Sequence, residues 1–188
     1  MSAPRTPVDF GSGTSFNHLR TIHGGLRYLQ TLDLVRARES VRERRALARI
    51  APWAVRPLPF VLPLFRSVAK GKLALNAGFL LDRVVARDRN DAIPESHHLP
   101  AGRVLGRDEA RRTYPELPPL GITGAAVWHD YVTVEADRLT LAWAQAAADR
   151  GAVLANYVEA REVTTAAGRI TAVRARDSIG GRELLIAA

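Results

Sequence analysis

Apolar residues recur at helical spacing between Thr31 and Ile50. Leu34, Val41 and Ala48 stand seven apart, and Val35, Ala37, Leu47 and Ile50 widen the same face. The opposite face is nearly all Arg and Glu, as a solvated helix surface is. Thr31 or Asp33 can cap the start and Pro52 stops the run, so the spacing predicts a helix over 31–50. The next pattern is different. VRPLPFVLPLF alternates Pro with apolar residues, and Pro52, Pro57, Pro59 and Pro63 forbid a helix and favour an extended edge strand. A second amphipathic helix is expected over Val68–Val85, with Leu73, Asn76, Leu80 and Val84 on one side and Gly71 and Gly78 weakening it. A polar loop, a short helix over Arg107–Tyr114 and a strand near Ala125–Val134 follow.

The last third predicts a helix over Glu135–Arg150 ended by Gly151, then a β-rich run at Ala152–Val158. Glu162–Ala166, Arg169–Ala175 and Glu183–Ala188 read as a meander joined by Ala-Gly and Gly-Gly turns. Helix, Gly, strand is half of a βαβ unit, so the fold class is α/β. No internal repeat or clean linker divides the chain, which reads as a single domain over 1–188. Its last residues, ELLIAA, form a strand without a closing turn, and the domain is therefore expected to be incomplete.

The 188 residues are 47% hydrophobic and 24% charged, as in ordinary soluble globular proteins. The absence of Cys excludes disulfides, thiolate catalysis and Cys-based metal sites. No apolar run approaches the roughly 20 residues of a membrane span. MSAPRTPVDF lacks the apolar core of a secretory signal, so a cytoplasmic protein is expected. The net charge of +8 first points to nucleic acid. Yet Lys occurs only at Lys70 and Lys72, and the many Arg are interleaved with Asp and Glu rather than gathered in runs. The excess reads as Arg usage on the surface, and no nucleic-acid partner is expected.

Candidate chemistry gathers in the polar, glycine-bearing stretch DFGSGTSFNHLRTIHGGLRYLQ, residues 9–30. Gly11-Ser12-Gly13-Thr14-Ser15 is neither GxGxxG nor a Walker loop, and a polar turn explains it as well. His23-Gly24-Gly25 alone is equally ambiguous. Arg20, Arg27 and Tyr28 in the same short segment change the balance. Two fixed cations, an imidazole and a phenol beside permissive glycines make an anion site.

This stretch resembles the segment that follows the first βαβ unit in FAD-dependent glycerol-3-phosphate dehydrogenases, members of the D-amino-acid-oxidase-like flavoproteins. Thr14-Ser15 followed by HGGLRYL at His23–Leu29 carries the resemblance. It continues through RERRALARIAP, VRPLPFVLPL, LPAGRVLGRDEA, the WHD of Trp128–Asp130, DRLTLAWAQAAADRGA and ANYVEA. It implies an incomplete FAD-binding, Rossmann-like fold with helical and substrate-domain β elements, whose first βαβ unit and C-terminal part are missing. Within it, 1–50 would be a flavin-flanking loop and helix, 51–134 a substrate-side segment, and 135–188 the returning helix and strands.

The implied activity is oxidation of a secondary alcohol on a phosphorylated polyol by hydride transfer to FAD, with an electron acceptor such as a quinone; the incomplete chain alone is expected to be inactive. By the same resemblance Thr14, Ser15, Arg20, His23, Gly24 and Gly25 would line the flavin, and Arg27 and Tyr28 would reach the substrate. Peripheral association with the inner face of the membrane also occurs in such enzymes. The alternative is a non-catalytic Arg-rich module for nucleic acid or an anionic membrane surface. The helix at Val68–Val85, with Lys70, Lys72 and Arg83, could lie on a bilayer, though ordinary packing is the simpler account.

Overall fold

The structure, a computed structural model, describes residues 9–15, 17–65, 69–118 and 120–187. It is mixed α/β and divides into two compact units, residues 19–134 and residues 1–18 with 135–188.

In the 19–134 unit a long central strand organises everything else. β1 is Thr21–Ile22, β2 Val55–Phe65, β3 Arg103–Gly106 and β4 Ile122–Thr133. All pairing is antiparallel. β2 runs along the whole of β4, from Val55 opposite Thr133 to Phe65 opposite Ile122. β1 and β3 share the other edge of β4, at Tyr131–Val132 and Gly124–Val127 respectively. The proline-rich run is therefore an edge strand, where a missing N–H breaks no inner ladder.

The two faces of β4 alternate with period two. Ala125 and Val127 pack with Leu105 and Ala110, while Ala126 packs with Leu64 and Phe79. Among the described residues this unit has three α-helices: α1 at Leu34–Ile50, α2 at Ala69–Val85 and α3 at Arg107–Thr113. Asp33 caps α1, its carboxylate accepting the Arg36 N–H at 3.1 Å. The inward residues of α1 are Ala37, Val41, Arg44 and Ala48. Asp88, just after α2, accepts from both Arg38 and Arg45 and so ties the two helices together.

Leu73, Asn76, Leu80 and Val84 do share a side of α2, but it is the solvent side: Leu73 is 81% exposed and Leu80 and Val84 each 64%. Among the described side chains of α2, Phe79 is the one that buries. Its ring lies against Gly102, where a Cβ would overlap it. Val68, expected to begin this helix, lies outside the described residues.

The other unit holds α4 at Ala136–Ala148 and an antiparallel meander of β5 (Val158–Ala166), β6 (Arg169–Asp177) and β7 (Glu183–Ala187). Ala167 and Gly168, with φ +50° and +75°, form the two-residue turn between β5 and β6. Positive φ at both positions matches the twist of the flanking strands. The β-rich run expected at Ala152–Val158 is a strand only from Val158. Residues 152–157 have no ladder partner among the described residues, and Val153 is 97% exposed. β-propensity without a neighbouring strand makes no strand. Ala188, expected in the last strand, lies outside the described residues.

Candidate active site

Thr14 and Ser15 lie in an exposed turn of the unit that contains α4. Gly11, φ +75°, brings this turn onto Thr140 of α4, whose side chain would stand 3.0 Å from an added Cβ. The other six expected site residues lie in the 19–134 unit.

Arg20 has φ +58° and turns back on the strand ends. Its carbonyl accepts the Thr133 N–H at 2.7 Å and its guanidinium reaches the Val134 carbonyl at 3.4 Å. β1 then pairs Ile22 with Tyr131, which delivers His23-Gly24-Gly25 to the flank of β4. Gly25, at φ +77°, starts a 3-10 helix over Leu26–Thr31 and accepts the Tyr28 N–H at 2.9 Å. Leu29 is the buried anchor of this helix, Tyr28 is half-buried, and His23 and Arg27 are exposed. Arg27 makes no hydrogen bond or ion pair among the described residues. The structure thus brings His23, Gly24, Gly25, Arg27 and Tyr28 onto one turn and one short helix.

Two residues that sequence reasoning did not place hold this turn from beneath. Asp130 on β4 accepts the Gly24 N–H at 2.7 Å and, on the same oxygen, the Arg44 guanidinium from α1. Both side chains are only 6% exposed. Beside them His129 keeps its Nδ1 buried without a partner among the described residues. Burial pushes its imidazole below the ordinary histidine range, against the pull of Asp130. The crevice between His129, Asp130, Arg44 and the Arg89–Asp82 pair has room for about one water. A larger apolar hollow of about 690 Å³ runs between the 3-10 helix and α2, lined by Leu26, Leu29, Leu64, Leu75 and Phe79. No group of three or more His, Asp or Glu among the described residues could hold a metal ion.

Within the 19–134 unit the exposed His23 offers an imidazole, and Arg27 offers a cation without a hydrogen-bond or ion-pair partner among the described residues. In the other unit Thr14 and Ser15 offer exposed hydroxyls, and Gly13 has no atom within 4 Å of where its Cβ would stand. Residues 8–188 match the family model described as FAD dependent oxidoreductase. Among curated relatives, glycerol-3-phosphate dehydrogenase of Synechocystis is 31% identical over 179 residues, which cover 95% of this chain and 31% of that protein. Alpha-glycerophosphate oxidase of Streptococcus pyogenes is 32% identical over 183 residues, 96% of this chain and 29% of that protein. The chain therefore spans under a third of the length of these relatives.

The X-ray structure of glycerol-3-phosphate dehydrogenase from Bacillus halodurans, complexed with FAD, shares the fold. Its TM-score is 0.61 at 22% identity, over 96% of this chain and 26% of that one. With the family model matching nearly its whole length, the chain belongs to the FAD-dependent oxidoreductases of the D-amino-acid-oxidase type.

Proposed function

We propose that this chain supplies the flavin-flanking and substrate-facing part of an enzyme that oxidises the secondary alcohol of a phosphorylated polyol of the glycerol 3-phosphate class. The observation that carries the reading is Arg27, exposed and unpaired among the described residues, one helical step from Tyr28 on a turn whose base is buried. A guanidinium offers a phosphate two parallel N–H donors, and the adjacent phenol can orient a hydroxyl. Thr14, Ser15, Arg20, His23, Gly24 and Gly25 are assigned to the cofactor side. Bound FAD would supply the two-electron acceptor. The relatives named for glycerol 3-phosphate and alpha-glycerophosphate support the substrate class. The test is anaerobic mixing of the FAD-loaded full-length enzyme that contains this chain with glycerol 3-phosphate or glycerol. The flavin absorbance should bleach with the first and stay unchanged with the second.

α2 favours a further reading of place and acceptor. It presents Leu73, Leu80 and Val84 to solvent and lines the apolar hollow beside the 3-10 helix. An apolar acceptor such as a quinone, met at the inner face of a membrane, fits both features. No helix among the described residues is long and apolar enough to cross a membrane. Sedimentation with anionic vesicles should be reduced in Leu73→Glu/Leu80→Glu; equal sedimentation removes the membrane reading.

A further inference from the structure

The His23-Gly24-Gly25 turn has no ladder of its own, because β1 ends at Ile22 and the 3-10 helix begins at Leu26. Its support comes from α1 and β4. Ser40 and Arg44 stand four apart on one face of α1, beneath the two glycines. A Cβ on Gly24 would collide with the Arg44 guanidinium, and one on Gly25 would lie 2.9 Å from the Ser40 Cβ. Arg44 also reaches the His129 carbonyl at 3.4 Å, and Asp130 takes the Gly24 N–H at 2.7 Å. One carboxylate oxygen thus joins a helix, a strand and the turn.

Building on the activity proposed above, we propose that Arg44 and Asp130 are the positioning residues of this site. They fix the backbone at Gly24, and so set where Arg27 and Tyr28 stand, two and three residues beyond Gly25. Both act through the turn and both are buried. A reacting group displaced by about 1 Å loses on the order of 100-fold in rate, so such a junction bears on turnover as well as folding.

The test uses Asp130→Asn, which keeps an acceptor without the charge, and Arg44→Lys, which keeps the charge without the fork. Amide hydrogen exchange is followed without FAD, and kcat and KM for glycerol 3-phosphate in the FAD-loaded form, both in the full-length enzyme that contains this chain. Gly24 N–H should exchange about tenfold faster or more, as when a charge-assisted hydrogen bond weakens, while the Ala125–Val127 amides hold their rates. In the same variants kcat should fall by about 100-fold, with KM changing far less. An unchanged Gly24 rate, or one rising only in step with Ala125–Val127, overturns the proposal. So does a faster Gly24 amide with unaltered kcat. If Asp130→Asn does not fold, Arg44→Lys carries the same comparison. A wild type that oxidises no glycerol 3-phosphate overturns the activity reading, and the Gly24 exchange rate still decides the junction.

Discussion

Arg44 and Asp130 are 86 residues apart in the chain and form an ion pair buried on both sides, with the Gly24 N–H on the same carboxylate oxygen. Removing one partner of such a pair strands a charge in a poorly solvated place, which typically costs about 3–5 kcal/mol. The pair is therefore weak evidence for high stability and strong evidence for one specific arrangement of the turn above it.

Gly24 is the position where that arrangement leaves no space. Gly24→Ala should destabilise the protein by about 1–3 kcal/mol, the usual cost of overpacking, because the paired Arg44 guanidinium cannot swing aside. Gly13→Ala is the control, since nothing lies within 4 Å of its added Cβ, and it should stay within about 0.5 kcal/mol of wild type. Urea unfolding midpoints of the two variants decide the point. Equal shifts would contradict the packing described.

Asp88 should govern part of the acid limb of stability. Hydrogen bonding from Arg38, opposed by partial burial and aided by the nearby Arg45, holds its carboxyl well below the usual carboxylate range. A depressed pKa in the folded state stabilises above the unfolded value, about 4, and that contribution disappears as pH falls below it. Wild type should therefore lose melting temperature between about pH 4 and pH 2 faster than Asp88→Asn does. Parallel curves would remove Asp88 from the account.

FAD binding by these 188 residues alone should be weak. They contain no GxGxxG fingerprint, and pyrophosphate is held mainly by such a turn and the helix that follows it. Flavin fluorescence titration should show no saturation in the nanomolar range, which corresponds to about −12 kcal/mol. Nanomolar quenching would locate a pyrophosphate site that the sequence does not reveal.

The basic charge should not translate into a nucleic-acid function. Asp88 and Asp130 hold Arg38, Arg45 and Arg44, and Asp82 holds Arg89, so part of the Arg excess serves internal pairs. Duplex DNA binding should be lost near 150 mM salt, about physiological ionic strength. Submicromolar affinity surviving there would favour the nucleic-acid alternative.

Patterns that act locally were legible. Asp33 caps α1, the prolines keep β2 at an edge, and Ala167-Gly168 turns the hairpin, each within a few residues of its cause. The glycines of HGGLRYL read only as permissive backbone, and the structure makes them a turn. What holds that turn was not legible, because Arg44 and Asp130 meet only through the pairing of β1 with β4 and the packing of α1. Their one signal was membership in RERRALARIAP and WHD, two stretches that carried the family resemblance. The buried face of α2 escaped for a related reason. That helix is apolar on several sides, and the choice was made by Gly102, a distant residue that makes room for Phe79. Residues 152–157 carry strand propensity but lack a partner, which no local pattern can announce.

The central claim is that Arg27 receives the substrate phosphate, and Arg27→Lys tests it most directly. In the FAD-loaded full-length enzyme that contains this chain, turnover of wild type and variant is measured with glycerol 3-phosphate and with an unphosphorylated polyol. Loss of a bidentate, charge-assisted contact should lower kcat/KM for glycerol 3-phosphate by about 2–3 kcal/mol and leave the unphosphorylated polyol nearly unaffected. An equal loss with both substrates would contradict the assignment.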